Sequence, residues 1–183
     1  ETVSNQTFVI GHVGRISYPK NHRFLINIFK EFHASNKDSI LLIIGTGDME
    51  EEIKNYAKES GVNDNIKFLG NRNDTERFYQ VFDVFMLPSL FEGVPLVGVE
   101  AQFADLPCFF SDKVPTEVVF SDKTNFMSLN QSAKEWAREI AKVDIYNRNS
   151  ERSIIINADY NIQTAHKILE AKYYELYELI QRG

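Results

Sequence analysis

The sequence has one cysteine, Cys108, one tryptophan, five prolines and no long apolar run. A lone cysteine excludes an internal disulfide and a cysteine-based zinc cluster, and it fits a reducing compartment. The longest apolar runs, Ile40 to Ile44 and Val84 to Leu87, are of strand length, far short of the ~20 residues a membrane span needs. Glu1 to Thr7 is polar and lacks the basic segment followed by an apolar stretch that marks a signal peptide. There is no initiator methionine, so a piece of something longer is expected. Basic charge is also scarce. Twenty Lys and Arg against 26 Asp and Glu leave a net charge of −6, which argues against a nucleic-acid partner.

Several chemical motifs are missing too. His12, His22, His33 and His166 show no ligand spacing, and there is no His-Glu-x-x-His, no Asp-x-Asp and no Gly-x-Ser-x-Gly. No metal site is expected. What remains is an ordinary globular chain. Its 183 residues, 43% apolar and 25% charged, suit one domain with a sizeable core.

Periodicity alternates along the chain. Thr7 to Val13 reads as a strand. Leu25, Ile28, Phe29 and Phe32 fall on one face of a helix over His22 to Ala34. Strands follow at Ser39 to Ile44, Ile66 to Leu69, Val84 to Leu87, Cys108 to Ser111 and Asn125 to Leu129. Between them lie helices after Asp48, over Thr75 to Phe82, from Pro95 to Ala104 and over Ser132 to Val143. Asp48 and Asp74 are expected as caps, with Glu50, Glu51 and Glu52 in a first turn that favours anions. Pro115 to Phe120 is expected as a helical turn, and a long final helix over about Thr164 to Gln181. Such alternation predicts an α/β fold, a Rossmann-like doubly wound parallel sheet with helices on both faces. Ligands then bind outside the carboxyl ends of the strands.

Two loops at that end carry the chemistry. Gly14-Arg15-Ile16-Ser17-Tyr18-Pro19-Lys20 places two cations beside a glycine, suited to phosphate oxygens. On spacing alone, two solvated surface cations are the better reading. Pro88 to Ala101 places Glu92 before a helix start and Glu100 inside the helix. The N-terminal amides of that helix can hold a diphosphate, Glu100 a ribose diol and Glu92 sugar hydroxyls; taken singly, either carboxylate is as well explained by the helix surface. Gly45-Thr46-Gly47 lacks the third glycine of a dinucleotide fingerprint, since Glu50 stands there. Tight-turn packing is therefore expected over NAD binding. Cys108 reads as a buried inert thiol, and Trp136 as core.

Taken in order, Gly14-Arg15…Lys20-Asn21, Ile43-Ile44-Gly45-x-Gly47, Phe68-Leu69-Gly70 and Pro88-Ser89-x-x-Glu92-Gly93-x-Pro95-x-x-x-x-Glu100-Ala101 resemble the retaining glycosyltransferases of family four. That family, glycosyl transferases group 1, has the GT-B fold of two Rossmann-like halves. The match spans about residues 8 to 130 and covers only the C-terminal, donor-binding half. The resemblance implies an absent N-terminal acceptor half that packs on this one. It also implies a nucleotide-sugar donor, UDP-sugar ahead of GDP-sugar, and a saccharide or lipid-linked acceptor in bacterial polysaccharide biosynthesis. No cofactor is implied. Arg15 and Lys20 would bind the diphosphate and stabilise the leaving group. Asn71 would help hold the base, and Glu100 the ribose. Glu92 would contact the sugar, with the amides of Gly93, Val94, Pro95-Leu96 and Val97 nearby. Catalytic roles fall to Glu92, Arg15 and Lys20. The isolated domain is expected to be inactive, and the parent cytoplasmic, with peripheral binding to the inner face of the membrane left open. Two departures stand out: Asp105 where the family usually has glycine, and Asn125-Phe126 for a common Asn-Gly.

Three other readings remain. A glycoside hydrolase would use Glu92 and Glu100 as its carboxyl pair, but gives Arg15 and Lys20 no role. A non-catalytic nucleotide-binding module would share the donor site without the reaction. An NAD-dependent oxidoreductase is weakened by the incomplete glycine pattern.

Overall fold

A computed structural model describes residues 7–144. Six strands form one sheet: β1 (Phe8–Val13), β2 (Ser39–Ile44), β3 (Ile66–Phe68), β4 (Val84–Leu87), β5 (Cys108–Ser111) and β6 (Thr124–Met127). Their order is β3-β2-β1-β4-β5-β6, and every neighbouring pair is parallel. The connecting helices are α1 (His22–Ser35), α2 (Glu50–Ser60), α3 (Thr75–Tyr79) and α4 (Leu96–Phe103), with α5 (Ala133–Ile140) after the last strand.

The strand sequences explain this architecture. Every residue of β4 and of β5 is buried, as expected for strands covered on both faces that read as unbroken apolar runs. The face predicted for α1, Leu25, Ile28, Phe29 and Phe32, is buried, and Ile26 and His22 join it. Trp136 on α5 is fully buried and stands edge-on to Phe24 at 5.6 Å. Its indole N–H donates to the Ser128 carbonyl at 3.1 Å, satisfying the polar atom that a buried tryptophan brings with it.

One cap differs from expectation, and a second holds its place without the expected bond. Met49, not Asp48, holds the N-cap position of α2, and no side chain caps that helix. Backbone carbonyls take the first amides at this end: the Met49 amide donates to the Ile16 carbonyl and the Glu50 amide to the Gly47 carbonyl. Asp74 does hold the N-cap of α3 but makes no cap bond. Its carboxylate accepts both Nε and Nη2 of Arg72, at 2.8 and 2.9 Å. α3 also ends at Tyr79 instead of Phe82. The turn that follows drops the Phe82 ring under β1, where a Cβ on Gly11 would lie 2.1 Å from it. Asp105 has φ 59, in the left-handed region that glycine adopts without cost. That accounts for the usual glycine there, and Asp105 is held by Lys123 Nζ at 2.8 Å. The helix expected over 164–181 lies outside the described residues. Among the described residues no helix is long and apolar enough to cross a membrane.

Candidate functional site

The strand order reverses beside β1. The chain runs outward from β1 through β2 to β3, then returns to lay β4 on the other side of β1. The loops after β1 and β4 therefore diverge and leave a crevice at the carboxyl end of the sheet. Both loops carrying the predicted site residues flank it.

The two loops are bonded to each other. The Leu90 amide donates to the Pro19 carbonyl at 2.7 Å, and Asn21 Nδ2 to the Pro88 carbonyl at 3.1 Å. Asn21 adopts φ 54 between a short 3-10 turn, Tyr18–Lys20, and the start of α1. That turn aims Lys20 across the crevice, where its Nζ meets Glu92 Oε1 at 2.7 Å. The same oxygen accepts Ser89 Oγ at 2.6 Å. Ser111, from the end of β5, donates to the Ser89 carbonyl, and both serines are fully buried. The side chains of Lys20 and Glu92 are only 16% and 11% exposed, so the pair is shielded enough to feel a lowered local dielectric.

Arg15 lies apart from this pair. Its guanidinium reaches Asp48 at 3.2 Å, with both side chains largely exposed. It lines an open cleft of about 930 Å³ together with Gly14, Thr46, Gly47, Asn71 and Arg72. Asn71 Oδ1 accepts the Thr46 hydroxyl at 3.1 Å. Gly45 and Gly47 floor the cleft by close packing, as expected. A Cβ on Gly45 would lie 2.1 Å from the Gly14 carbonyl oxygen, and one on Gly47 equally close to that of Ile16.

Glu100 sits exposed on α4 and accepts the Tyr79 hydroxyl at 2.7 Å. Gly93 and Val94 are exposed, Pro95 is buried, and Leu96 projects into solvent at the start of α4 while Val97 is partly covered. Pro95 supplies the N-cap without a side-chain bond, and its carbonyl accepts the Gly98 amide at 2.8 Å. The structure thus brings Lys20 and Glu92 into contact and sets Arg15 and Asn71 around one cleft. Glu100 is anchored to Tyr79, and Lys20, Glu92 and Glu100 do not line that cleft.

Sequence reasoning missed the supporting residues. Tyr79 has no local signature, because it meets Glu100 only through the fold; the Ser89 bond to Glu92 is local, three residues along the same loop, and the spacing Ser89-x-x-Glu92 was the signal that could have found it. Two of the histidines that lack ligand spacing form a buried pair. His12 and His22, 0% and 2% exposed, stack edge to face at 4.7 Å. His12 Nδ1 donates to the Met86 carbonyl at 2.8 Å, which fixes its tautomer. A Cβ on Gly14 would meet His12 Nε2 at 3.3 Å and the Lys20 stem at 3.2 Å, so the pair lies directly beneath the β1 loop. Burial lowers His12 to about 4, and nearby Lys20 adds to the shift. Burial lowers His22 to about 2, with His12 and Lys20 contributing. Both are neutral at pH 7. Among the described residues no group of three His, Cys, Asp or Glu side chains could hold a metal ion. Cys108 is buried and its thiol is pushed well up by burial, as an inert core cysteine would be.

The fold and the sequence are both similar to those of known proteins. The fold matches that of Anabaena HepE, solved in complex with UDP, with a TM-score of 0.77 and 19% identity over 92% of this chain and 49% of that one. The sheet and its helices correspond to the C-terminal half of a GT-B protein. Among curated proteins, putative glycosyltransferase EpsF of Bacillus subtilis is 33% identical over 141 residues, 76% of this chain and 37% of its own. The UDP-Gal:alpha-D-GlcNAc-diphosphoundecaprenol alpha-1,3-galactosyltransferase of Escherichia coli is 35% identical over 113 residues, 60% of this chain and 29% of its own. The chain thus spans well under half the length of these relatives. Residues 1–160 match the family described as Glycosyl transferases group 1, and the chain belongs to that family.

Proposed function

We propose that this chain is the donor-binding half of a retaining, metal-independent glycosyltransferase. The parent would move a sugar from a nucleotide-sugar, UDP-sugar ahead of GDP-sugar, to a saccharide or lipid-linked acceptor in polysaccharide biosynthesis. One observation supports this most: a cation and a carboxylate 72 residues apart in sequence meet at 2.7 Å in the crevice where the strand order reverses. Lys20 and Glu92 then face the same ligand, the cation toward a phosphate and the carboxylate toward hydroxyls.

The chemistry follows from what each group can do. Breaking a glycosyl–phosphate bond leaves negative charge on the nucleotide. Arg15, held by an exposed ion pair with Asp48, can exchange that partner for phosphate oxygens and present two N–H groups to them. Lys20 is a fixed positive charge aimed into the crevice, placed before any ligand arrives, which is how preorganised electrostatics lower a barrier. Glu92 accepts from an ammonium and a hydroxyl, with lone pairs left for sugar hydroxyls. A hydrolase would give the Arg15 and Lys20 cations no role. Glu100 offers acceptors to a ribose diol, and Asn71 and Thr46 line the cleft toward a base. The acceptor site, and closure of two halves over the donor, belong to the part of the parent outside this chain.

Calorimetric titration of the chain with UDP, GDP and ADP, in EDTA, tests this. UDP is expected to bind in the chelator, and Arg15→Ala and Glu100→Ala to weaken it at least ten-fold. Absence of nucleotide binding, or equal binding by both variants, overturns the reading.

A further inference from the structure

We infer that Tyr79 is a positioning residue for nucleotide recognition, holding the Glu100 carboxylate in one orientation so that it presents its remaining acceptors to a vicinal diol. This rests on the reading of Glu100 as the ribose acceptor.

Glu100 is an exposed glutamate on the second turn of α4, where such a side chain normally samples many rotamers. Here it does not stand alone. The Tyr79 hydroxyl donates to its Oε2 at 2.7 Å and lies 3.4 Å from the Val97 carbonyl one turn earlier on the same helix. Tyr79 is itself immobile. It is 3% exposed, and its ring stands edge-on to Phe82 at 5.8 Å and to Phe85 at 6.0 Å. Phe82 and Phe85 are fully buried, so the ring cannot swing away without opening the core. A rigid phenol at the core's edge is thus aimed outward at a surface carboxylate.

The pairing has a plain physical consequence. An ionised carboxylate has about four lone-pair sites, and Tyr79 occupies one. The rest stay available, on a group whose rotamer entropy is already spent by folding rather than by binding. Immobilising such a side chain costs about 0.5–1.5 kcal/mol at a binding site, which corresponds to roughly two- to twelve-fold in affinity. The contact is part-buried, so stability and positioning are separated by comparing ligands with and without the diol, not by stability alone. Phenylalanine would fill the same core space.

The test compares UDP with 2′,3′-dideoxyuridine diphosphate, which lacks the diol, by calorimetry on the unsubstituted chain, Tyr79→Phe, Glu100→Gln and the double variant. The unsubstituted chain is expected to prefer UDP. Glu100→Gln should erase that preference, and Tyr79→Phe should cut it about five-fold while leaving dideoxy affinity nearly unchanged. In the Glu100→Gln background Tyr79→Phe should change nothing further. If Glu100→Gln erases the preference but Tyr79→Phe leaves it intact, or weakens both ligands equally, the positioning role is wrong and the ribose assignment survives. If the unsubstituted chain shows no preference, or Glu100→Gln retains it, the ribose assignment itself falls.

Discussion

Mild acid should unfold this domain through two histidines. His12 and His22 are neutral in the native state, at about 4 and about 2 against an ordinary 6.5. Unfolding returns both rings to water. Below pH 6.5 the unfolded chain therefore binds protons that the native one refuses, and stability falls as pH drops. The contribution is complete above 6.5. It declines toward pH 4 for His12 and keeps declining below that for His22. Integrating each titration from pH 7.5 to 5.0 gives a loss of about 2 kcal/mol per ring, roughly 4 kcal/mol together. Against a typical domain stability of about 5–15 kcal/mol that is a large share. His33, lowered chiefly by partial burial, steepens the same slope. Asp74, Asp112 and Glu135 are lowered mainly by hydrogen bonds to Arg72, Ser128 and Ser132, so their loss comes at lower pH. Urea titrations at several pH values, followed by the fluorescence of buried Trp136, measure the effect. Near pH 5.5 the expected slope is nearly two protons, about 2 kcal/mol per pH unit. His22→Leu, which keeps an apolar filling beside His12, should roughly halve it. A slope worth less than one proton, or one that His22→Leu leaves unchanged, refutes the reasoning.

Two further outcomes bear on packing and charge. Gly11→Ala should destabilise by about 3 kcal/mol, roughly 10 °C in melting temperature, because its Cβ would lie 2.1 Å from the buried Phe82 ring. Gly93→Ala, with nothing within 4 Å, should stay within about 0.5 kcal/mol; equal effects in a thermal melt would contradict the packing argument. Lys20→Met should cost about 2–3 kcal/mol by stranding Glu92 in a shielded place, and adding Glu92→Gln should recover about half of it. Strict additivity of the two in urea denaturation would mean the pair is not coupled.

The fold was legible because its signals are local. Unbroken runs such as Ser39 to Ile44 and Val84 to Leu87 are strand-length and end at Gly45 or Pro88, as strands covered on both faces do, and Leu25, Ile28, Phe29 and Phe32 recur at the spacing of one helical face. The alternation of the two dictates a parallel sheet. The glycines at 45 and 47 were read as close packing, and the carbonyls of Gly14 and Ile16 are what they pack on. The cap bonds were not legible for the complementary reason. Asp48 and Asp74 stand at suitable offsets, but an offset says nothing about a carbonyl arriving from Ile16 or a guanidinium two residues away that binds the carboxylate more strongly.

The site follows the same division. Its loops could be found in the sequence, since each trails a strand and carries charge beside glycine. How its residues are held could not. Spacing treats Arg15 and Lys20 as two similar cations on one loop, and the structure separates them. Lys20 is clamped: the Pro19 carbonyl, the Asn21 side chain and Glu92 all tie its turn to the β4 loop, and Ser111 ties that loop to β5 through Ser89. Among the described residues, the Arg15 guanidinium pairs with an exposed partner, Asp48. A clamped cation costs little reorganisation when charge develops, whereas an exposed one can follow a ligand as it arrives. The contacts that create this difference run between residues about 70 positions apart, across the reversal of strand order. They are therefore a property of the topology and leave no trace in the spacing of the loop itself.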